Sequence, residues 1–89
     1  MINWRINKAI YKPDYSVDVE FMDGYHGTLH IKQSRLFNAF APLKDINLFL
    51  KGYIKYGALT WNVGDYELDL APDAMYERMK QNNGVDILQ

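Results

Sequence analysis

The sequence contains no cysteine. That one absence excludes disulfide frameworks, thiolate metal sites and cysteine nucleophiles. Net charge is nearly absent as well: ten Lys and Arg face eleven Asp and Glu, a balance of −1. Nothing global therefore draws the chain to nucleic acid or anionic lipid. No apolar run approaches the ~18 residues that a membrane-spanning helix needs. The opening stretch, residues 1–12, has no apolar h-region, so a secretory signal peptide is not expected. Nucleophile elbows, phosphate-binding glycine loops and the His-Glu-x-x-His zinc motif are all missing. So are internal repeats, low-complexity stretches and linkers.

What is present is a core. The 89 residues are 48% hydrophobic and 15% aromatic, too apolar for a disordered chain and too short for two independent cores. A soluble, cytoplasmic α+β protein is expected, with one domain over residues 1–84 and a flexible tail over 85–89.

Alternation sets the elements. Trp4, Ile6 and Ile10 share one parity of a first strand, with a bulge expected near Asn7–Lys8. Tyr15, Val17, Val19 and Phe21 alternate with Ser16, Asp18 and Glu20 in the clearest strand, apolar on one face and wet on the other. Tyr25, Leu29 and Ile31 repeat the pattern, with His26, Thr28 and His30 opposite them. A two-residue Asp23–Gly24 turn would set Phe21 beside His26 and mismatch the faces. A three-residue loop, Met22–Gly24, sets Phe21 beside Tyr25 and Val17 beside Leu29, and the faces agree. Ser34 is placed to cap a short helix that Pro42 ends, and Asp45 a second one that closes at Gly52. Tyr53–Tyr56 and Ala58–Asn62 form a second hairpin around Gly57. Asp65–Leu70 alternates again. Pro72 opens a helix to about Lys80, with Met75, Tyr76 and Met79 as its apolar stripe. The expected fold is an antiparallel sheet of five or six strands with short helices, the C-terminal helix packed on the sheet.

This order of elements resembles the bacterial family called domain of unknown function 2442. The residues that carry the resemblance are Phe21-Met22-Asp23-Gly24, Phe40 to Asp45, Phe49, Gly57 to Trp61, and Leu70-Ala71-Pro72-Asp73 leading to Tyr76. It covers residues 6–77. Asn62 departs from the family's usual proline or acid after the tryptophan, and Asn62–Asp69 is longer than the pattern. The resemblance implies a small α+β fold and no known catalytic activity. It also implies an arrangement beside a small partner that looks like a toxin–antitoxin pair. Some relatives carry a DNA-binding helix-turn-helix domain, for which this sequence leaves no room.

Three groups of residues invite a chemical reading. His26 and His30 share a strand face with Asp18 and Glu20, so a His/carboxylate zinc site is conceivable; cross-strand pairs on a wet face explain them as well. Trp61, Tyr53, Tyr56 and Tyr66 could stack on bases or fill a partner's pocket, but Trp61 shares its face with Leu59 and Val63 and reads as core. The third group is acidic. Residues 1–56 hold eight Lys or Arg and five Asp or Glu, whereas residues 57–89 hold two and six. Asp65, Glu67, Asp69, Asp73 and Glu77 fall within thirteen residues without an intervening base. An EF-hand is excluded, because Leu70 stands where its loop needs glycine. A solvated face explains the acids, and so does a surface for a basic partner.

The expected function is a small, non-catalytic protein-interaction module, antitoxin-like or inhibitory, with a protein partner, no cofactor, no metal and no catalytic residue. Its candidate partner surface is Asp65, Glu67, Asp69, Asp73 and Glu77. The alternatives are a nucleic-acid-associated regulator, which the acidic C-terminal third disfavours, and an enzyme with an unrecognised site. Neither the partner nor the oligomeric state is written in the sequence.

Overall fold

The computed structural model describes residues 4–89. Strands β1 (Ile6–Lys12), β2 (Ser16–Phe21) and β3 (His26–Ile31) run antiparallel in that order. Val17 lies opposite Leu29, Ser16 opposite His30 and Glu20 opposite His26. The Phe21 N–H donates to the Tyr25 carbonyl at 2.8 Å, and the Gly24 N–H donates back to the Phe21 carbonyl at 2.9 Å. The loop therefore has three residues, as face matching requires. Gly24 sits at φ +89°, with open space where a Cβ would point.

Because nothing crowds Gly24, its replacement meets only backbone strain. Gly24→Val is expected to lose more than about 1 kcal/mol, since a β-branched residue fits positive φ poorly. Gly24→Asn should cost less, because asparagine tolerates that region. Denaturant midpoints check this, and equal midpoints for Val, Asn and wild type would contradict it.

The bulge falls at Asn7, where pairing skips from Ile6–Phe21 to Lys8–Glu20. It overturns the shared parity expected for Ile6 and Ile10. An extra residue flips every later side chain, so Ile6 is buried while Ile10 is 64% exposed.

Beyond β3 the chain makes two short 3-10 helices, Gln33–Arg35 and Asn38–Lys44. They replace the one helix expected from Ser34, because Asn38 takes a left-handed conformation at φ 52° at the start of the second. Pro42 lies inside the second instead of ending a helix. Asp45 caps α1 (Ile46–Phe49) by accepting the Asn47 N–H at 3.0 Å. A hairpin then pairs β4 (Tyr53–Lys55) with β5 (Ala58–Asn62). Its turn, Tyr56–Gly57, has positive φ at both residues, the signature of a tight two-residue hairpin. β6 (Glu67–Leu70) pairs with the other side of β5.

Two expectations are corrected here. The described residues form seven strands in two sheets, β1-β2-β3-β7 and β4-β5-β6, not one sheet of five or six. Alternation tells which face a residue occupies but not which strand lies beside it. The second correction concerns residues 85–89, expected as a tail. Val85–Leu88 is strand β7, parallel to β3, with Thr28 opposite Val85 and Ile31 opposite Leu88. The intervening helix α2 (Pro72–Gln81) carries the chain across to that edge, as a parallel connection requires.

The C-terminal helix does pack on the first sheet. Met75 and Met79 are fully buried. At Gly27 of β3 a Cβ would stand 2.3 Å from the Met79 sulfur, so only glycine admits the helix this closely. The Tyr25 hydroxyl donates to the Met79 carbonyl at 3.2 Å, and Lys80 lies 4.3 Å from the Tyr25 ring centre. From the second sheet, Leu59 and Trp61 are fully buried in the common core. The Trp61 indole N–H donates to the Phe49 carbonyl at 2.9 Å.

Candidate functional site

The period of two divides the second sheet into faces. Leu59, Trp61, Leu68 and Leu70 point into the core. Tyr53, Lys55, Ala58, Thr60, Glu67 and Asp69 lie on the other face. The register puts Tyr53 and Asp69 on either side of Thr60. The middle strand thus contributes short side chains and the outer strands long ones, so the face is a trough.

One end of the trough is closed by side chains that cross it. Lys55 reaches over β5 to the Glu67 carboxylate, Nζ to Oε1 2.7 Å. The Tyr53 hydroxyl donates to the other Glu67 oxygen. Thr60 is only 2% exposed, although it points away from the core. Lys55 and Tyr53 together hold the Glu67 carboxyl below the usual carboxylate range. The Tyr53 phenol is in turn pushed up, chiefly by its hydrogen bond to Glu67. Lys55 also lies 5.7 Å from the centre of the Tyr56 ring.

The rest of the trough is a depression of about 390 Å³, bounded by Trp4, Tyr56, Asp69 and Pro72 with Ala58 and Thr60 beneath. Trp4 comes from the other end of the chain. It is brought here because the Ile6 N–H donates to the Gly57 carbonyl at 2.9 Å, tying the start of β1 to the β4–β5 turn. Tyr56, at the tip of that turn, is 82% exposed.

The five acids expected to form one surface are distributed unequally. Glu67 and Asp69 share the trough, but Glu67 is already neutralised by Lys55. Asp69 makes no ion pair with the described residues. Asp65 was expected on the same strand face and is not on it. It lies in the turn before β6, where the Val63 N–H donates to the Tyr66 carbonyl at 2.9 Å and the Gly64 N–H to the Asn62 side chain at 3.0 Å. Asp73 is in the first turn of α2, where the helix dipole favours a carboxylate, and Glu77 follows one turn later, exposed. Trp4 was not among the expected binding residues, whereas Tyr56 was one of the aromatics expected to be able to fill a partner's pocket. The signal for Tyr56 is an aromatic next to Gly in a hairpin turn, where no core can receive it.

The histidine face reads differently. His26 pairs with Glu20 at 3.4 Å. His30 faces Ser16, whose hydroxyl is buried and donates to Asp14 at 2.5 Å. Among the described residues, no group of three potential metal ligands is brought together. A second, more open depression of about 530 Å³ lies on this sheet beside Ile10, Asp18 and His26. Its carboxylate is already engaged: Asp18 accepts from Thr28 at 2.9 Å and pairs with Lys12 at 3.2 Å.

These pairings predict how stability depends on pH. Hydrogen bonds from Ser16, Thr28 and Tyr76 lower the carboxyls of Asp14, Asp18 and Asp23, and Lys55 lowers that of Glu67. A carboxyl lowered in the folded state stabilises the fold above its unfolded value. That contribution is lost as pH falls through the folded value. The thermal midpoint should therefore drop on acidification below about pH 5. A midpoint that holds or rises between about pH 5 and 3 would contradict these contacts.

The family model described as protein of unknown function (DUF2442) matches residues 6–81. No curated protein and no solved structure matches significantly. The matched span runs from β1 to the end of α2 and contains the Gly24 loop, the Trp61 strand and the Pro72–Asp73 helix start, with β7 just beyond it. By that match across most of its length, the chain belongs to the DUF2442 family.

Proposed function

We propose that this protein is a small, non-catalytic interaction module that meets a basic protein partner through the outer face of β4-β5-β6 and the start of α2. The observation that carries this reading is the trough at Asp69. There a carboxylate without an ion-pair partner among the described residues lies beside an 82% exposed tyrosine, over a depression too open to enclose a small molecule. Exposed aromatics and charge together mark protein-binding surfaces more than they serve stability. Asp73 and Glu77 extend the negative surface along α2. An antitoxin-like or inhibitory role in a bacterial cytoplasm is part of the proposal and follows from the family resemblance. Binding to nucleic acid has less support, because Asp69, Asp73 and Glu77 on and beside this face would repel phosphate.

The test is affinity capture with the wild-type chain and with Glu67→Gln/Asp69→Asn/Asp73→Asn as parallel baits, followed by titration of the captured protein. The expected partner is basic, binds the wild type faster at low salt, and loses at least about tenfold in affinity for the variant. Equal capture and equal affinity by both baits would refute the reading.

A further inference from the structure

The trough has one unfilled position, and its chemistry is specific. Trp4, Tyr56 and Pro72 line it, with the Lys55–Glu67 pair at one end. Among the described residues, Asp69 is the carboxylate of the trough that has no ion-pair partner. Beneath it, Thr60 is 98% buried, counted from its 2% exposure. The Thr60 hydroxyl donates to the Ala58 carbonyl at 3.0 Å and accepts from no donor among the described residues. The position therefore offers the Asp69 carboxylate, the Thr60 oxygen and aromatic residues, and no cation beyond the committed Lys55. Next to it the protein already holds a cation in the same manner: Lys55 sits on the Glu67 carboxylate and against the Tyr56 ring.

We infer that this position receives an arginine side chain of the partner protein, with the guanidinium on Asp69 and its plane against Trp4 or Tyr56. The inference rests on the proposed function and names the group that the face recognises. A guanidinium fits better than an ammonium for two reasons. It is flat, so it stacks on a ring while its edge still bonds a carboxylate. It also carries five donors in a fixed fork, enough to serve Asp69 and the Thr60 oxygen together. A metal ion is a poor occupant, since one carboxylate and one hydroxyl beside the Lys55 ammonium make a weak ligand set. A phosphate or carboxylate would face Asp69 and Glu67 and be repelled.

The experiment uses the intact chain and blocked tripeptides, acetyl-Gly-Arg-Gly-amide and its lysine counterpart, at low salt. Trp4 is the reporter. Its fluorescence should respond while that of buried Trp61 stays constant, and amide shifts should move at Tyr56 and Asp69. The arginine peptide is expected to saturate in the millimolar range, as a single side chain on an open surface would. It should bind several-fold tighter than the lysine peptide, and Asp69→Asn should weaken it about tenfold. Asp69 is exposed and outside the core, so this variant should fold normally. Trp4→Ala, read by amide shifts, should weaken arginine and lysine binding to the same level.

No saturable change at Trp4 or Asp69, equal binding of the two peptides, or an unaffected Asp69→Asn variant would each overturn the inference. Failure here separates cleanly from failure of the functional reading. If the charge variant loses a captured partner but the arginine peptide does not bind, the face stands and the arginine pocket falls. If the peptide binds as expected but both baits capture alike, the pocket stands and the partner surface falls.

Discussion

Replacing Trp61 by alanine is expected to lower the free energy of unfolding by about 3–5 kcal/mol. Trp61 is fully buried and is the largest such side chain among the described residues. Its indole stacks on Phe49 with ring centres 5.8 Å apart and meets the edge of Tyr11 at 5.6 Å. It thereby joins β5 of the second sheet to α1 and to β1 of the first. Alanine would leave a cavity at that junction and take the indole N–H from the Phe49 carbonyl, which would keep only the Gly52 N–H at 3.2 Å. A domain of this size holds only about 5–10 kcal/mol in total, so the variant should be close to unfolded at 37 °C. Trp61→Phe separates the two effects. It keeps most of the apolar volume and loses the hydrogen bond, and should cost about 1–2 kcal/mol beyond its smaller size. Urea denaturation of both variants checks this. A loss below about 1 kcal/mol for Trp61→Ala would mean that the sheets are not joined through this residue.

The second large effect is expected at Arg78. Asp86 of β7 faces inward at 2% exposure, and Arg78 of α2 holds it by two parallel bonds, Nε to Oδ1 2.7 Å and Nη2 to Oδ2 2.9 Å. Arg78→Ala would leave a buried carboxylate without a partner, at a cost of about 3 kcal/mol. The chain has a cheaper response, because β7 is short and sits at the sheet edge. It can detach and return Asp86 to water, losing its pairing with β3 and the packing of Leu88 against the core. Arg78→Ala should therefore lower the thermal midpoint and abolish amide protection at Asp86 and Leu88, while Val17 and Val19 in the sheet interior stay protected. Arg78→Met/Asp86→Leu removes both charges at once and should recover most of the loss. An unchanged midpoint with β7 still protected would show that the ion pair is dispensable.

The same ion pair explains why β7 escapes a reading of the sequence. Val85-Asp86-Ile87-Leu88 is too short to show a period, and its inward position is an acid. Only a tertiary partner eight residues earlier makes that position admissible in a core. Elsewhere the legible features are those that sequence neighbours decide. The Met22–Gly24 loop follows from matching two adjacent apolar faces, the Asp45 cap from a local hydrogen bond, and the Asn7 bulge from a break in alternation. The split into two sheets is not local, and alternation is silent about it. Ser16 shows the limit in miniature. By parity it belongs to the wet face, yet it is buried, with Asp14 two residues before it satisfying both its N–H and its hydroxyl.

The candidate site was legible in part for the same reason. A run of acids from Asp65 to Glu77 is visible in the sequence, and Glu67 and Asp69 do share a face. Which of them is neutralised depends on Lys55 crossing a strand, and Asp65 leaves the face because the turn continues to Tyr66. The meeting of Trp4 with Asp69 depends on the tie between β1 and the Gly57 turn, which joins distant parts of the chain and leaves no periodic trace.

The central claim is that the outer face of β4-β5-β6 meets the partner. The most direct measurement is a map of backbone amide shifts of the labelled chain on adding the captured basic protein. The account predicts changes centred on Tyr56, Thr60 and Asp69 and fading along α2 past Asp73, with β2 and β3 unmoved. Changes centred on Ile10, Asp18 and His26, with Asp69 and Tyr56 unmoved, would contradict it and place the partner on the first sheet.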